Sequence, residues 1–213
     1  MSKKKSSPDA PRILRRKKFD PFEAAAKRRY VFAALPLSME VKRAIADHVR
    51  PIRDQMRSFV WLHPSQWQIV VKHFGEMEKS DAERLGNRIQ TVISGAIPVE
   101  FRGVGANPDL REAQSLWVGI RDSKGGLKNL HRDINDACSS LGFEVEAKRF
   151  RPQLPVAHLE QEQRPRPVAR ELSPVMDVLM NTAVLEELVL YRTEMGRDGL
   201  VSVPFRRFPL GSL

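Results

Sequence analysis

The sequence predicts an α+β protein, because segments of strand length and segments of helix periodicity follow one another without strict alternation. The apolar run Tyr30–Leu35 has the length of a buried strand, and Pro36 ends it. Apolar residues spaced by three and four then run from Val41 to Met56, which is typical of a helix facing a core. Such a mixture favours two lobes, each built of a sheet and helices.

The elements follow from turn and cap residues. Ser38 is expected to cap the first helix, and Ser80 with Glu83 has the spacing of a capping box for the second. Ser123 is expected to start a third helix that ends near Gly142, and Ser173 before Pro174 a fourth. The predicted strands after the first are Phe59–Leu62, Trp67–Phe74, Ile97–Val104, Ser115–Ile120, Phe150–His158, and a closing hairpin of Glu187–Thr193 and Leu200–Phe208.

Length and composition exclude several classes of protein. The chain of 213 residues is long enough for one domain without disulfides, and its one Cys supplies neither a disulfide framework nor a cysteine-based zinc site. No apolar run approaches the ~18 residues of a membrane span. The N-terminus lacks the apolar segment of a secretory signal. We expect a soluble, cytoplasmic protein with no membrane partner.

The positive charge is concentrated at the N-terminus. Residues 1–29 hold eleven basic and three acidic residues, a formal charge of +8 out of the net +10. This segment is poor in large apolar residues, so we expect a disordered basic arm at 1–29 and a folded domain at 30–213. The arm fits a solvated tail or a polyelectrolyte that binds RNA or DNA phosphates, and a mitochondrial transit peptide is a third interpretation.

Several short phrases, taken in their order from Arg29 to Leu213, resemble one known family. They are Arg29–Pro36, Val60–Trp67, Lys72–Glu76, Gly105–Pro108, Leu116–Gly119, Leu141–Phe143, Phe150–Pro152, Leu190–Glu194 and Phe208–Leu210. Together they are similar to the LigT-like two-histidine (2H) phosphoesterases, which include bacterial RNA 2′,3′-cyclic phosphodiesterases, historically called 2′–5′ RNA ligases. The resemblance implies antiparallel sheets flanked by helices, in two lobes around a central cleft.

The family carries one His-x-Thr/Ser-x motif on a strand of each lobe. Residues i and i+2 of a strand share a face, so the resemblance implies that a histidine and a hydroxyl enter the cleft together. At the corresponding places this sequence has Gln68 and Val70, and Gln153 and Pro155. A glutamine amide can bind phosphate but does not titrate near neutral pH. Loss of each acid–base group costs ~10²–10⁴ in rate, so the resemblance implies a degenerate enzyme with no intact catalytic residue.

The remaining histidines give no displaced pair by strand parity. His73 and His158 each lie five residues past a glutamine of the motif, which predicts the opposite face of each strand. Family members usually have arginine at the place of His158. The other three histidines are expected on the apolar stripe of a helix (His48), in an exposed turn (His63) and on a helix surface (His131).

Four cations are candidates for binding phosphate or RNA. By parity, Lys72 shares the cleft face with Gln68, while Arg149, Arg151 and Arg192 flank the corresponding places in the second lobe. The alternative for each is a solvated charge at the end of a strand.

Three further residues complete the candidate chemistry. Trp61 and Trp67 could stack a base at the cleft mouth or pack within the first lobe, and Cys138 has the position of a core residue. Neither a glycine-rich phosphate loop nor a metal-ligand spacing occurs, so no metal or cofactor is expected.

These observations favour non-catalytic binding of RNA, either an RNA end or a nucleotide phosphate, helped by the basic arm. One alternative is a residual or rewired RNA 2′,3′-cyclic phosphodiesterase that needs no metal. Another is a scaffold whose arm docks onto a ribonucleoprotein. A monomer is expected.

Overall fold

A computed structural model of the protein describes residues 29–93, 95–143, 149–160, 163–196 and 199–211. The predicted basic arm, apart from Arg29, therefore lies outside the described residues. The strands are β1 (Arg29–Pro36), β2 (Phe59–Trp61), β3 (Gln68–Met77), β4 (Ile97–Asn107), β5 (Ser115–Arg121), β6 (Gln153–Leu159), β7 (Leu179–Leu185), β8 (Glu187–Gly196) and β9 (Gly199–Pro209). The α-helices are α1 (Met39–Arg53), α2 (Lys79–Gln90), α3 (Gly126–Ser139) and the short α4 (Ala169–Leu172).

The strands form two antiparallel sheets. The four-stranded sheet has the order β3-β1-β8-β9, and the five-stranded sheet has the order β2-β6-β5-β4-β7. β3 and β6 contact each other between the two sheets. The predicted α+β class with antiparallel sheets is confirmed.

One apolar core joins both sheets to the helices. β1 contributes Val31, Ala33 and Leu35, and β6 contributes Leu154 and Val156 to the same cluster. From α1 the buried side chains are spaced by three and four residues, as the sequence predicts, and they are Val41, Ile45, Val49 and Ile52. In both strands, every second side chain points into the core, and these side chains define the core-facing side of each sheet.

A second, smaller cluster lies on the other face of the four-stranded sheet. It consists of strand residues alone: Phe32 and Ala34 from β1 and Val189 and Tyr191 from β8, with Val70 packed against them. The rings of Phe32 and Tyr191 stack with centroids 5.4 Å apart. Because β1 alternates regularly, its even-numbered residues mark this face along the whole strand.

Two predicted helix starts differ from the structure. α2 begins at Lys79 with Glu78 as its N-cap and no side-chain cap, so the capping box predicted at Ser80 is wrong. α3 begins at Gly126 rather than at Ser123, because Asp122 holds the preceding turn. One carboxylate oxygen of Asp122 accepts from the Leu127 amide at 2.6 Å and the other from the Lys124 amide at 3.2 Å.

The segment after Ser173 also differs from its prediction. Ser173–Val175 is a single 3-10 turn rather than the start of a helix, and β7 follows it unpredicted. The other predicted strands are confirmed, as is the Ser38 cap, which accepts from the Val41 amide at 3.3 Å. Among the described helices none has the length and apolar character needed to cross a bilayer.

Candidate functional site

A β-bulge at Val71 changes which side chains of β3 share a face. Val70 lies opposite Ala34 and Lys72 lies opposite Ala33, so Val71 has no partner on β1. Val71 is the extra residue of the bulge, and its side chain is buried in the core. Gln68 lies opposite Pro36, on the same face as Val70. We call this face of the four-stranded sheet, marked by Phe32 and Ala34, its site face.

The bulge overturns the predicted place of Lys72. Its partner Ala33 belongs to the main core, and Lys72 is only 2% exposed. The Lys72 ammonium donates to Asn135 Oδ1 on α3 at 2.7 Å. The prediction that Lys72 faces the cleft beside Gln68 is therefore wrong, because strand parity is broken one residue before it.

The same bulge brings His73 onto the site face. His73 lies opposite Phe32 and is exposed. Its ring contacts those of Tyr30 and Phe32, with centroids 5.7 Å and 5.9 Å away. The parity argument that assigned His73 to the opposite face is corrected by this register.

A second bulge, at Val156, repeats this arrangement in the five-stranded sheet. Gln153 lies opposite Gly119, Pro155 opposite Trp117 and His158 opposite Ser115. The odd-numbered residues of β5 share one face, so Gln153, Pro155 and His158 do as well. We call this face the site face of the five-stranded sheet. His158 is exposed on it, contrary to the parity prediction.

The two strands thus carry the same pattern of side chains. In each, a glutamine and an apolar residue are followed by a buried valine at the bulge and then by an exposed histidine. On the neighbouring strand, the residue opposite each histidine is four positions away from the residue opposite the glutamine. The histidine and the glutamine are therefore about 13 Å apart along the strand. General acid–base contacts span ~3 Å, so neither histidine occupies the backbone position of a motif residue.

Trp117 lies beside these residues, and the sequence analysis did not assign it a role. It lies opposite Pro155 on β6 and opposite Gly105 on β4. A Cβ atom added at Gly105 would overlap the six-membered part of the indole ring, and one added at Gly119 would lie 3.5 Å from it. In the sequence, the available signal for this role is a tryptophan two residues before a glycine on one strand, because a glycine leaves room for the ring to lie flat on the sheet. In contrast, Trp67 is core and Trp61 packs against the core, as the packing interpretation predicts.

The predicted arginines divide into two groups. Arg192 lies opposite Val31, on the core side of β8, where its Nε is 2.7 Å from a carboxylate oxygen of Glu194. The prediction that Arg192 flanks the second lobe's cleft strand is therefore wrong, because β8 belongs to the four-stranded sheet. Arg149 and Arg151 are exposed next to the start of β6 and line a cavity of about 1090 Å³.

The remaining histidines are held by structural contacts. His48 Nδ1 lies 2.7 Å from the Ala44 carbonyl oxygen on α1, and His63 is exposed and caps the 3-10 turn Pro64–Gln66. His131 was predicted at the surface but is 7% exposed, because its ring stacks on Phe150 at 4.5 Å. None of these three lies on a site face.

Cys138 has the environment of a core residue rather than of a nucleophile. Cys138 is buried on α3, and burial raises the pKa of its thiol to about 11, so the reactive thiolate is suppressed at neutral pH. Within the described parts of the chain, no three His, Cys, Asp or Glu side chains cluster as metal ligands would.

Comparison with known proteins agrees with this architecture. No protein-family model matches the chain. An RNA 2′,3′-cyclic phosphodiesterase of Geobacillus stearothermophilus is 27% identical over 172 residues, which are 79% of this chain and 54% of that protein. The chain therefore spans about half the length of this relative. A protein of the same name from Methanothermobacter thermautotrophicus is 22% identical over 180 residues, 82% of this chain and 97% of that protein.

Solved structures show the same fold. TT0787 of Thermus thermophilus superposes with a TM-score of 0.69 at 21% identity, covering 86% of this chain and 98% of that one. Escherichia coli LigT, crystallised with NADP⁺, superposes with a TM-score of 0.66 at 16% identity, covering 87% and 99%. In sequence the chain is similar to RNA 2′,3′-cyclic phosphodiesterases, and in fold it matches the LigT-like structures.

Proposed function

We propose that this protein binds RNA, through an RNA end or a nucleotide phosphate, on the site faces of its two sheets without hydrolysing it. The observation that carries the proposal is the matched pair Gln68 and Gln153. They occupy the same place in two strands of the same bulged pattern, and both are half-buried. Their amides can donate to phosphate oxygens but cannot exchange protons at neutral pH.

The nature of the relatives supports the choice of ligand. The similar proteins from Geobacillus and Methanothermobacter are named RNA 2′,3′-cyclic phosphodiesterases, and Escherichia coli LigT has been crystallised with 3′-AMP. In this chain, Trp117 offers an aromatic surface next to Pro155 on the same face. Stacking of a base on such a ring contributes about 1–3 kcal/mol to nucleic-acid binding.

The basic arm is proposed to add affinity without selecting sequence. Its formal charge of +8 is large compared with the +2 of residues 30–213. Cations of this kind bind phosphates by releasing counterions and hold any RNA near the folded domain.

The test measures binding and turnover on one RNA that ends in a 2′,3′-cyclic phosphate. We expect binding, with hydrolysis at background. Replacing both Gln68→Ala and Gln153→Ala should weaken binding by about a hundredfold or more, because two hydrogen bonds to a charged group, each contributing about 1.5–3 kcal/mol, are lost. The matched control is Gln55→Ala, an exposed glutamine just after α1 that should leave binding unchanged. Equal affinity of the double variant and the control would contradict the proposal.

A rewired hydrolase is the second candidate, and one observation favours it. The two bulges bring His73 and His158 onto the site faces, where sequence parity did not expect them. Histidine is the side chain most often used as a general acid or base, and it could serve a phosphate held further along the strands. Turnover abolished by His73→Phe or by His158→Arg would establish this function. Background turnover that neither substitution changes would exclude these residues as its source.

A further inference from the structure

The site face of the five-stranded sheet continues beyond Gln153 into the cavity lined by Arg149 and Arg151. Arg121 follows Gly119 on the same face of β5 and lies opposite Glu100, and Val184 lies opposite Pro98 at the far end. All four of Arg121, Glu100, Val184 and Pro98 line the cavity. Pro152, the residue before Gln153, lines it as well. The cavity and the glutamine therefore share one continuous surface.

The rim of this cavity carries cations that the described chain does not neutralise. Lys128, Arg149 and Arg151 line the cavity, and none of them has a carboxylate of the described residues within salt-bridge distance. Arg121 is paired with Asp177 at 3.0 Å. Three cations with no carboxylate partner among the described residues, placed around one concavity, favour a positive potential within it.

The acidic residues of the lining are already engaged. Asp122 accepts hydrogen bonds from the backbone amides of Lys124 and Leu127, and a carboxylate oxygen of Glu100 lies 3.7 Å from Arg102 Nε. Their charges are therefore committed to the turn before α3 and to a neighbouring arginine. Among the lining residues that the structure describes, four cations face two carboxylates.

The walls are apolar between these charges. Phe150 is held in place by its stacking on His131, and Val184 is 44% exposed. A volume of about 1090 Å³ exceeds the ~300–1000 Å³ common for a single small ligand. Apolar surfaces for bases within a groove of cations for phosphates are what single-stranded nucleic acid requires.

We infer that this cavity is a second RNA subsite, which holds the nucleotides that extend from the one bound at Gln68 and Gln153. Lys128, Arg149 and Arg151 contact successive phosphates, and the bases lie against Phe150 and the neighbouring aliphatic side chains. This inference rests on the proposed RNA binding. It adds that the bound RNA runs from Gln153 across β5 and β4 toward β7, and that the protein contacts several nucleotides.

The experiment compares a labelled ten-nucleotide single-stranded RNA with 3′-AMP, using the full chain and the variant Lys128→Gln/Arg149→Gln/Arg151→Gln. The variant should bind the RNA about tenfold more weakly. Its slope of log K against log salt should be shallower by about 2, because each lost phosphate contact removes ~0.7. Its affinity for 3′-AMP should stay within about twofold. The matched control, Arg43→Gln/Arg111→Gln/Arg170→Gln, removes three exposed arginines outside the cavity and should keep the affinity for the RNA within about twofold.

Each outcome separates the two proposals. If the unaltered chain binds neither the RNA nor 3′-AMP, RNA binding itself is refuted. If it binds both and the cavity variant behaves as the control does, only the subsite is refuted. If the cavity variant loses 3′-AMP as strongly as the RNA, the cavity holds the terminal nucleotide and the inferred extension is overturned.

Discussion

Gly105 sets the position of Trp117, the aromatic residue of the site face. A methyl group at position 105 would overlap the indole ring, so Gly105→Ala must displace either the ring or the strand. We expect a loss of about 1–3 kcal/mol in the free energy of unfolding, as for other overpacked sites, together with a changed tryptophan fluorescence spectrum. Chemical denaturation followed by fluorescence measures both.

The matched control for this substitution is Gly86→Ala in the interior of α2. There the added methyl would meet only the flexible end of Arg206, at 3.0 Å, and alanine is the better helix former by up to ~1 kcal/mol. The control should leave the free energy of unfolding unchanged or raise it. A Gly105→Ala protein as stable as the control would contradict the close contact.

Lys72 is expected to matter for stability and not for binding. Lys72→Met leaves the buried Asn135 Oδ1 without the donor it has in the native protein, a change that typically costs about 1–3 kcal/mol. Combining it with Asn135→Leu removes both polar partners and should recover much of this loss. Denaturation measures stability, and titration with RNA at a temperature where the variant is folded should give an unchanged affinity. An affinity loss in the folded variant would restore Lys72 as a ligand contact.

The thiol of Cys138 predicts a dependence of stability on pH. Burial raises its pKa to about 11 in the folded protein, above the ordinary 9.0, so folding favours the neutral thiol. Its stabilising contribution is therefore complete below pH 9 and is lost as pH rises through about 11. The difference in unfolding free energy between the native chain and Cys138→Ala should shrink between about pH 8.5 and about pH 11. A difference that stays constant would show that the thiol is not desolvated.

At the scale of elements, α3 depends on Asp122, although Asp122 lies outside the helix. Because its carboxylate accepts from the Leu127 and Lys124 amides, Asp122→Ala should lower the free energy of unfolding by about 0.5–2 kcal/mol. Ser80→Ala should change it by less than ~0.5 kcal/mol, since Ser80 lies within α2 and Glu78 occupies the N-cap. Thermal denaturation of the two variants distinguishes them, and equal losses would return the cap to Ser80.

The positions of most strands could be predicted from the sequence, but the phase of their side chains could not. Apolar runs bounded by proline and glycine located β1, β3, β5 and β6 to within a few residues. The bulge at Val71 interrupts no apolar run, and nothing local marks it. The bulge at Val156 follows Pro155, and a proline within a central strand is a local signal of a bulge that the parity argument did not use. Parity beyond a bulge is then inverted, which misplaced Lys72, His73 and His158.

β7 shows a different limit of prediction. Its sequence, Leu179–Leu185, follows Ser173 and Pro174, which are a common helix start, and the strand is recognisable only by its pairing with β4. Pairing between distant segments is decided by the sheet as a whole, so tertiary context overrides the local signal.

At the scale of the whole molecule, the arm should dominate the salt dependence of RNA binding. If about five of its cations contact phosphates, the slope of log K against log salt is near about −3.5, a loss of somewhat over a hundredfold between about 50 and 200 mM. Deleting residues 1–28 keeps Arg29 in β1 and should remove most of this slope. Fluorescence anisotropy across the salt range measures it for both chains.

The part of the slope that survives the deletion belongs to the folded domain, where Lys128, Arg149 and Arg151 remain. An unchanged slope and affinity after deletion would make the arm a solvated tail. RNA binding would then depend on the two sheets alone.

The pairing of β1 with β8 has a consequence for synthesis of the chain. Val31 lies opposite Arg192, so the four-stranded sheet joins the first strand described to one near the C-terminus. During translation β1 and β3 emerge early and can pair, whereas the other edge of β1 has no partner until β8 leaves the ribosome. Apolar residues Val31–Leu35 would meanwhile be held at an open edge, which is where nascent strands are prone to associate. Chains truncated before β8 should therefore be strong clients of chaperones, and the four-stranded sheet should form fully only once β8 is available.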